Sequence, residues 1–381
     1  MQKLLMTPGP TTIPELVKLE MAKDIIHHRT EEYSEIFKEL SQNLKYVFKT
    51  KNPVITLTSS GTGAMEASVT NLFSKGEKVI VISSGNFGNR YIQLAKLYGL
   101  DVKEISYKWG ESAKPEDLKK VLSEETDVKG VFLTHHETST GVLNNVSAFG
   151  KVLEGTDILF VVDSISGILS NEFKTDEWRV DCAISGSQKG FMSPPGLAFV
   201  SLSERAQIAM KKSDMPNFYF SFAKHLGRLS EGQNPTTPAI TLICAVNVAC
   251  QLIQKEGIDK VLDRHKKLQT LTALGIEALG LEFFVKNSED RGSTLTSVIS
   301  PKGIDGQEIH KLMQEEGVTI AGGQADYKGK IFRIGHLGDV NEFDVIVTFA
   351  ALEKVLYKLN YKEFEIGSSL KAIQEYLIKN I

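Results

Sequence analysis

The sequence predicts an α/β chain: a larger unit built on a mostly parallel, mixed sheet flanked by helices, followed by a smaller α+β unit. Three observations carry this. Short apolar runs at 54–58, 78–82, 130–134, 158–162, 182–184 and 197–202, each bounded by small or polar residues, recur along the first half of the chain, mostly between helical stretches; such runs suit strands buried on both faces of a parallel sheet. From about residue 258 strands are fewer and no longer alternate strictly with helices, the pattern of an α+β unit. At 381 residues the chain is also long for one core. The expected division is an N-terminal arm at 1–18, the larger unit at 19–257 and the smaller at 258–381.

Taken in order, residues 1–14 carry Thr7-Pro8-Gly9-Pro10 and Pro14, whose restricted backbone favours an extended arm. Residues 15–24 and 31–48 have helical periodicity, and in the second Tyr33, Ile36, Phe37, Leu40, Leu44, Val47 and Phe48 share one apolar face. His27-His28-Arg29 reads as a polar connection between them. The strand 54–58 runs into Ser59-Ser60-Gly61-Thr62-Gly63 and a helix start. That arrangement is either an anion cradle, with free N–H groups and the helix dipole facing the loop, or a plain helix cap. It lacks the Gly-Lys-Ser/Thr of a Walker loop, and Glu66 stands where a dinucleotide fingerprint has its third glycine.

The strand 78–82 ends in Ser83-Ser84-Gly85-Asn86-Phe87-Gly88, before a helix at 90–98 and a strand at 102–105. Phe87, just past a strand end, either stacks on a flat ligand ring or packs in the core. The strand 130–134 runs into His135-His136-Glu137-Thr138-Ser139-Thr140-Gly141. Adjacent side chains at a strand end point to opposite faces and no HExxH spacing is present, so no metal site is expected. The hydroxyls of Thr138, Ser139 and Thr140 either bond a ligand or shape a turn. The run 158–162 ends on Asp163; 182–184 is followed by Ser185-Gly186-Ser187-Gln188-Lys189, a rigid turn through Pro194-Pro195-Gly196 and the strand 197–202. Residues 213–238 are loop-rich, as binding loops and interfaces are, and a helix at 239–255 closes the unit. The smaller unit reads as a helix at 261–279, strands at 281–285 and 297–299, a helix at 306–316, strands at 318–321 and 331–334, and helices at 343–359 and 368–379. Arg333, inside the last apolar strand, is either an edge-strand charge or a bidentate clamp for a carboxylate.

Composition narrows the function classes. A net charge of −3 and a pI of about 6.3 give no field for nucleic acid. Cys182, Cys244 and Cys250 show no CxxC pairing and read as free thiols in a reducing compartment. The opening MQKLLMTPGP has too short an apolar stretch for a secretory signal. The apolar segment 239–253 is interrupted by Asn247 and Gln251 and is short for a bilayer. The expectation is a soluble, cytoplasmic protein without membrane or nucleic-acid partners.

In open α/β sheets ligands sit beyond the carboxyl ends of the strands. If 158–162 and 182–184 belong to one sheet, Asp163 and Lys189 project into one crevice. A buried lysine of depressed pKa forms Schiff bases, and a buried carboxylate keeps a pyridinium protonated as an electron sink. That pair is what pyridoxal 5'-phosphate (PLP) chemistry requires. Spacing alone leaves open a strand-end aspartate capping a helix and a solvated loop lysine.

With these segments in order, the chain resembles the class V aminotransferases, PLP enzymes of fold type I, and within them the alanine–glyoxylate and serine–glyoxylate (serine–pyruvate) group. The similarity runs through TPGP at 7–10, SSGTGAMEA at 59–67, SGNFGNR at 84–90, HHETSTGVL at 135–143, VDS at 162–164, SGSQK at 185–189, PPG at 194–196 and RIGHLG at 333–338. The placing of Lys189 26 residues beyond Asp163 is the most specific of these.

The resemblance implies that Lys189 holds PLP as an internal aldimine and moves the substrate's Cα proton, while Asp163 binds the pyridine nitrogen. Ser60, Gly61, Thr62 and Gln188 would hold the phosphate, with Thr236 of a neighbouring subunit completing the cup in a homodimer. Phe87 and Ile165 would pack on the ring faces, Thr138 would contact the phenolic-oxygen side, and Arg333 would bind the amino-acid carboxylate. Phe87 stands where the best-known animal members often have tryptophan, and Gln233, three residues before Thr236, where they have a phosphate-binding tyrosine. The implied reaction moves the amino group of alanine or serine to glyoxylate or pyruvate. Aminoethylphosphonate–pyruvate transaminases share the opening and the RIG motif. A PLP lyase or cysteine desulfurase, which needs a mobile cysteine, and a non-catalytic subunit of a soluble hydrogenase are the remaining alternatives.

Overall fold

The computed structural model describes residues 3–380; residues 1, 2 and 381, at the outer ends of the expected arm and smaller unit, lie outside the described residues. The chain opens with β1 (Leu4–Leu5), α1 (Glu15–Met21) and α2 (Glu31–Phe48). Thr30 starts α2 by accepting a hydrogen bond from Tyr33 N, and left-handed Lys49 ends it. There follow β2 (Val54–Thr58), α3 (Gly61–Leu72), β3 (Lys78–Ser83), α4 (Asn86–Leu97), β4 (Asp101–Ser106), α5 (Pro115–Glu124) and β5 (Val128–Thr134). A small hairpin, β6 (His136–Glu137) and β7 (Val142–Leu143), leads through α6 (Val146–Val152) to β8 (Leu159–Asp163), β9 (Cys182–Gly186) and β10 (Leu197–Leu202).

Seven of these strands form one sheet in the order β2-β10-β9-β8-β5-β3-β4. The pairs β3–β4, β3–β5, β5–β8 and β8–β9 are parallel, and β10 runs antiparallel to both its neighbours. The alternation of side chains along each strand divides the core in two. Ile80, Ile82, Val131, Leu133, Phe160 and Val162 face α2, α5, α6 and α9 (Ile240–Glu256). Val79, Val81, Phe132, Val161 and Ile184 face α3, α4, α7 (Glu204–Met210) and α8 (Phe222–Leu229). Each such side chain, fully buried, contributes about 1.5–3 kcal/mol.

After α10 (Ile258–Ala278) come β11 (Leu295–Ile299), α11 (Gly306–Glu315), β12 (Val318–Thr319), β13 (Ala321–Gly322), β14 (Ile331–Gly335), α12 (Glu342–Lys358) and α13 (Ser368–Lys379). The three-stranded sheet β11-β14-β13 packs on α10, α11 and α12 in a core of its own that includes Phe332, Ile334, Leu268 and Phe349. The N-terminal arm joins this core: β1 pairs in parallel with β12, Met6 N donates to Thr319 O at 2.8 Å, and Gly335 N donates to Met6 O at 2.8 Å.

Several expectations are corrected. The segment 281–285 is no strand; it meets the sheet through a single bridge, Phe283 to Val298. Helix α4 begins at Asn86, four residues before the periodicity shows, because its first N–H groups are capped from another segment. The loop-rich stretch 213–238 contains α8. Arg333 is no edge-strand charge, since β14 is the central strand of its sheet.

Candidate active site

The parallel strands β2, β3, β5, β8 and β9 all end on one edge of the large sheet, and each hands a short polar segment to the same place. After β2, Ser60 is extended at the start of α3 without its side chain capping the helix. The N–H groups of Gly61 and Thr62 therefore have no partner among the described residues, the condition of an anion site. Gly61 leaves room for Ile165: a Cβ there would force the Ile165 side chain to shift.

At the end of β8, Asp163 is buried, 3% exposed, and its Oδ1 accepts from Ile165 N at 2.8 Å. Burial pushes it up to about 7; the Ile165 bond, Arg90 and Lys189 pull the other way and Glu137 adds to the rise. After β9, Lys189 is no solvated loop residue. Its Nζ donates to the Pro8 carbonyl oxygen at 2.5 Å. Burial lowers the amine to about 8, helped by the Arg333 charge and opposed by Asp163. Beside it, Gln188 Oε1 is buried without a partner among the described residues. Burial without a partner is costly unless a ligand supplies a hydrogen.

After β3, Phe87 opens α4. Glu137 Oε2 accepts from Phe87 N at 3.0 Å and Gly88 N at 3.1 Å, and Ser139 Oγ accepts from Asn86 N at 3.0 Å. The segment after β5 thus caps the helix that carries Phe87. Arg90, one turn on, lies 4.7 Å above the Phe87 ring and donates through Nη1 to Thr62 Oγ1 at 2.8 Å. It ties the ring position to the cradle.

Thr138 is buried and held twice. Its Oγ1 lies 2.6 Å from Ser166 Oγ, and its carbonyl oxygen accepts from Arg333 Nη1 at 2.6 Å. Arg333 Nε and Nη2 donate to Gly322 O at 2.9 and 2.7 Å. Arg333 is 4% exposed, and its guanidinium hydrogen bonds among the described residues go to carbonyl oxygens rather than to an acidic side chain. Three of its N–H groups are used in this way, and no carboxylate neutralises the charge among the described residues.

Ser60, Gly61, Thr62, Phe87, Thr138, Asp163, Ile165, Gln188, Lys189 and Arg333 are thus linked through shared strand ends and contacts. Thr236 is not joined to them; it is exposed on the segment before α9. Gln233 is turned inward, accepting from Arg29 Nη1 at 2.7 Å and donating to Ser34 Oγ at 2.5 Å. Arg29 is thereby explained as the brace of this loop. Among the described residues no group of histidine, cysteine and acidic side chains is arranged to hold a metal. Cys250 is buried in α9, where burial pushes its thiol up. Sequence reasoning missed Arg90, Glu137, Ser166 and Gly9. Arg90, Glu137 and Gly9 lay in quoted motifs without a role, while Ser166 acts through folding contacts that spacing does not reveal.

The donor set fits PLP. Open helix N–H groups and an orphaned amide oxygen suit a phosphate, a buried acid suits a pyridine nitrogen, and a low-pKa amine suits an aldehyde.

Comparison with known proteins agrees. A family model described as "Aminotransferase class-V" matches residues 19–329. The chain is 38% identical to a soluble hydrogenase small subunit of Synechococcus, covering 98% of each. It is 34% identical to a serine–glyoxylate aminotransferase of Methylorubrum extorquens, over 99% of this chain and 96% of that one. The crystal structure of an alanine–glyoxylate aminotransferase from Nostoc superposes with a TM-score of 0.89 at 32% identity, covering 93% of this chain and 96% of the other. The chain therefore belongs to the class V aminotransferases, and its cofactor is pyridoxal 5'-phosphate.

Proposed function

We propose that the chain moves the amino group of a small amino acid, alanine or serine, to a 2-oxo acid, glyoxylate or pyruvate. The observation that carries this is the buried, acid-free Arg333 guanidinium, close enough to Lys189 to lower that amine. It offers one carboxylate site to an α-amino or α-oxo acid whose reacting carbon lies at the lysine.

PLP, when bound, supplies the electron sink that makes the substrate's Cα–H acidic. Lys189 is the attachment point and then the base and acid that move that proton; its lowered pKa keeps part of it neutral near pH 8. Asp163 holds the pyridine nitrogen protonated. Ser60, Gly61, Thr62 and Gln188 bind the phosphate, Phe87 and Ile165 take the ring faces, and Thr138 takes the phenolic-oxygen side. Thr236 serves the partner's phosphate across a homodimer, a role its exposure supports. The arm at 1–18, the PLP-binding unit at 19–257 and the smaller unit at 258–381 are the parts of this machine, and its place is the cytoplasm. No helix among the described residues is long and apolar enough to cross a membrane.

The test is a half-reaction screen. Single amino acids are mixed with the PLP-loaded protein and conversion of the visible band to the pyridoxamine form is followed. Alanine or serine should convert it, and Lys189→Ala should abolish conversion. Failure of every small amino acid would sink the proposal. The similarity to a protein named as a hydrogenase subunit supports a second reading, a partner of a metalloprotein. Co-purification with one, without amino transfer to any oxo acid, would favour it.

A further inference from the structure

His136 has no part in the assignments above, yet it stands in the wall of the site. Its ring is buried, and Nε2 has no partner among the described residues. That nitrogen packs on Gly292, where a Cβ would lie 2.7 Å away. Nδ1 is 3.0 Å from Ser166 Oγ, which is itself 2.6 Å from Thr138 Oγ1 and 3.1 Å from the His136 carbonyl oxygen. Ser166 has three polar neighbours and one hydrogen to give.

Counting hydrogens selects a tautomer. With hydrogen on Nε2, a buried N–H would face Gly292 without an acceptor, and Ser166 would donate to Nδ1. Thr138 would then donate to Ser166 and present only lone pairs to a ligand. With hydrogen on Nδ1, the orphan is a bare lone pair, the less costly state because unpaired buried N–H groups are the rarer. Ser166 then accepts from His136, and two acceptors compete for its one hydrogen: the His136 carbonyl at 3.1 Å and Thr138 Oγ1 at 2.6 Å. The much shorter contact takes it, which frees the Thr138 hydrogen. The ring stays neutral, through burial first, with the Lys189 and Arg333 charges adding to the effect.

We propose that His136 is a positioning residue whose Nδ1–H donates to Ser166, which donates to Thr138, so that the Thr138 hydroxyl is fixed as a hydrogen-bond donor to an anionic oxygen of the bound cofactor. Successive donors in one direction polarise each other, strengthening the last bond. The proposal rests on the assignment of Thr138 to the phenolic-oxygen side.

Two readouts on the full, PLP-loaded chain test it. In protein labelled with 15N-histidine, the His136 resonances, identified by their loss in His136→Asn, should show hydrogen on Nδ1 and a bare Nε2; hydrogen on Nε2 overturns the proposal. The pH midpoint of the visible band should rise by about 0.5–1 unit in His136→Ala and Ser166→Ala, the size of one lost hydrogen bond. It should stay near wild type in His136→Asn, whose amide donates in place of Nδ1. Thr138→Val is the reference. If it shifts the midpoint while both alanine variants match wild type, the relay is overturned and the Thr138 assignment stands. If Thr138→Val leaves the midpoint unmoved, the assignment fails and the relay with it. Should His136→Ala not fold, Ser166→Ala carries the same expectation.

Discussion

Lys189 Nζ donates its hydrogen bond to the carbonyl oxygen of Pro8, 2.5 Å away and 181 residues earlier in the chain. The arm is pressed onto the lysine: Thr11 Oγ1 also donates to Lys189 O at 3.1 Å, and a Cβ on Gly9 would lie 2.7 Å from Nζ. Gly9 has φ +123°, which disfavours any side chain.

Gly9→Ala is therefore expected to cost about 1–3 kcal/mol of stability and to weaken PLP binding by displacing the lysine. Denaturant unfolding and an absorbance titration with PLP check the two effects. A variant that binds PLP as tightly as wild type would separate the arm from the lysine's function.

The Asp163 carboxyl predicts a pH dependence of the PLP-free protein. Its folded pKa of about 7 lies above the ordinary carboxylate value. The neutral acid is thus favoured by folding, and its contribution is complete below about pH 4 and lost as pH rises through 7. Relative to Asp163→Asn, the wild type should lose about 4 kcal/mol over that window. Urea unfolding from pH 4 to 8 measures the difference; a flat difference would mean that burial does not govern this group.

Glu137→Gln should destabilise the fold by about 1–3 kcal/mol, since the carboxylate serves Phe87 N, Gly88 N and Ser139 Oγ together. An amide presents hydrogens toward those donors. Because the start of α4 loosens, PLP affinity should fall with stability, which parallel thermal melts and PLP titrations would detect.

Arg333→Met should lower kcat/KM for amino acids by roughly 30- to 5,000-fold, the cost of truncating a buried charge partner. The visible spectrum of bound PLP should be retained. Steady-state kinetics unchanged from wild type would remove Arg333 from the substrate site.

The strands that end at the site were legible because they are buried on both faces. The runs 158–162 and 182–184 differ from β8 and β9 by one or two residues at their ends. Asp163 and Lys189 follow directly from them. The start of α4 was not legible, because its cap is the Glu137 carboxylate, 50 residues further along. The segment 281–285 has a strand's composition, yet it makes one bridge rather than a ladder. Arg333 could be read either way until its strand was seen at the centre of the small sheet. Gly9 had no chemical signature, since its importance lies in what it leaves room for.

The arm's short pairing with β12, and the Gly335 N–H seated on Met6 O, give the C-terminal layer a handle on the reactive amine. Pro8 follows Met6 by two residues, so any swing of that layer away from the large sheet would pull the carbonyl off Nζ. Arg333, in the same layer, would travel with it. The contact that holds the amine and the guanidinium that faces it are thus both anchored through one layer of the fold.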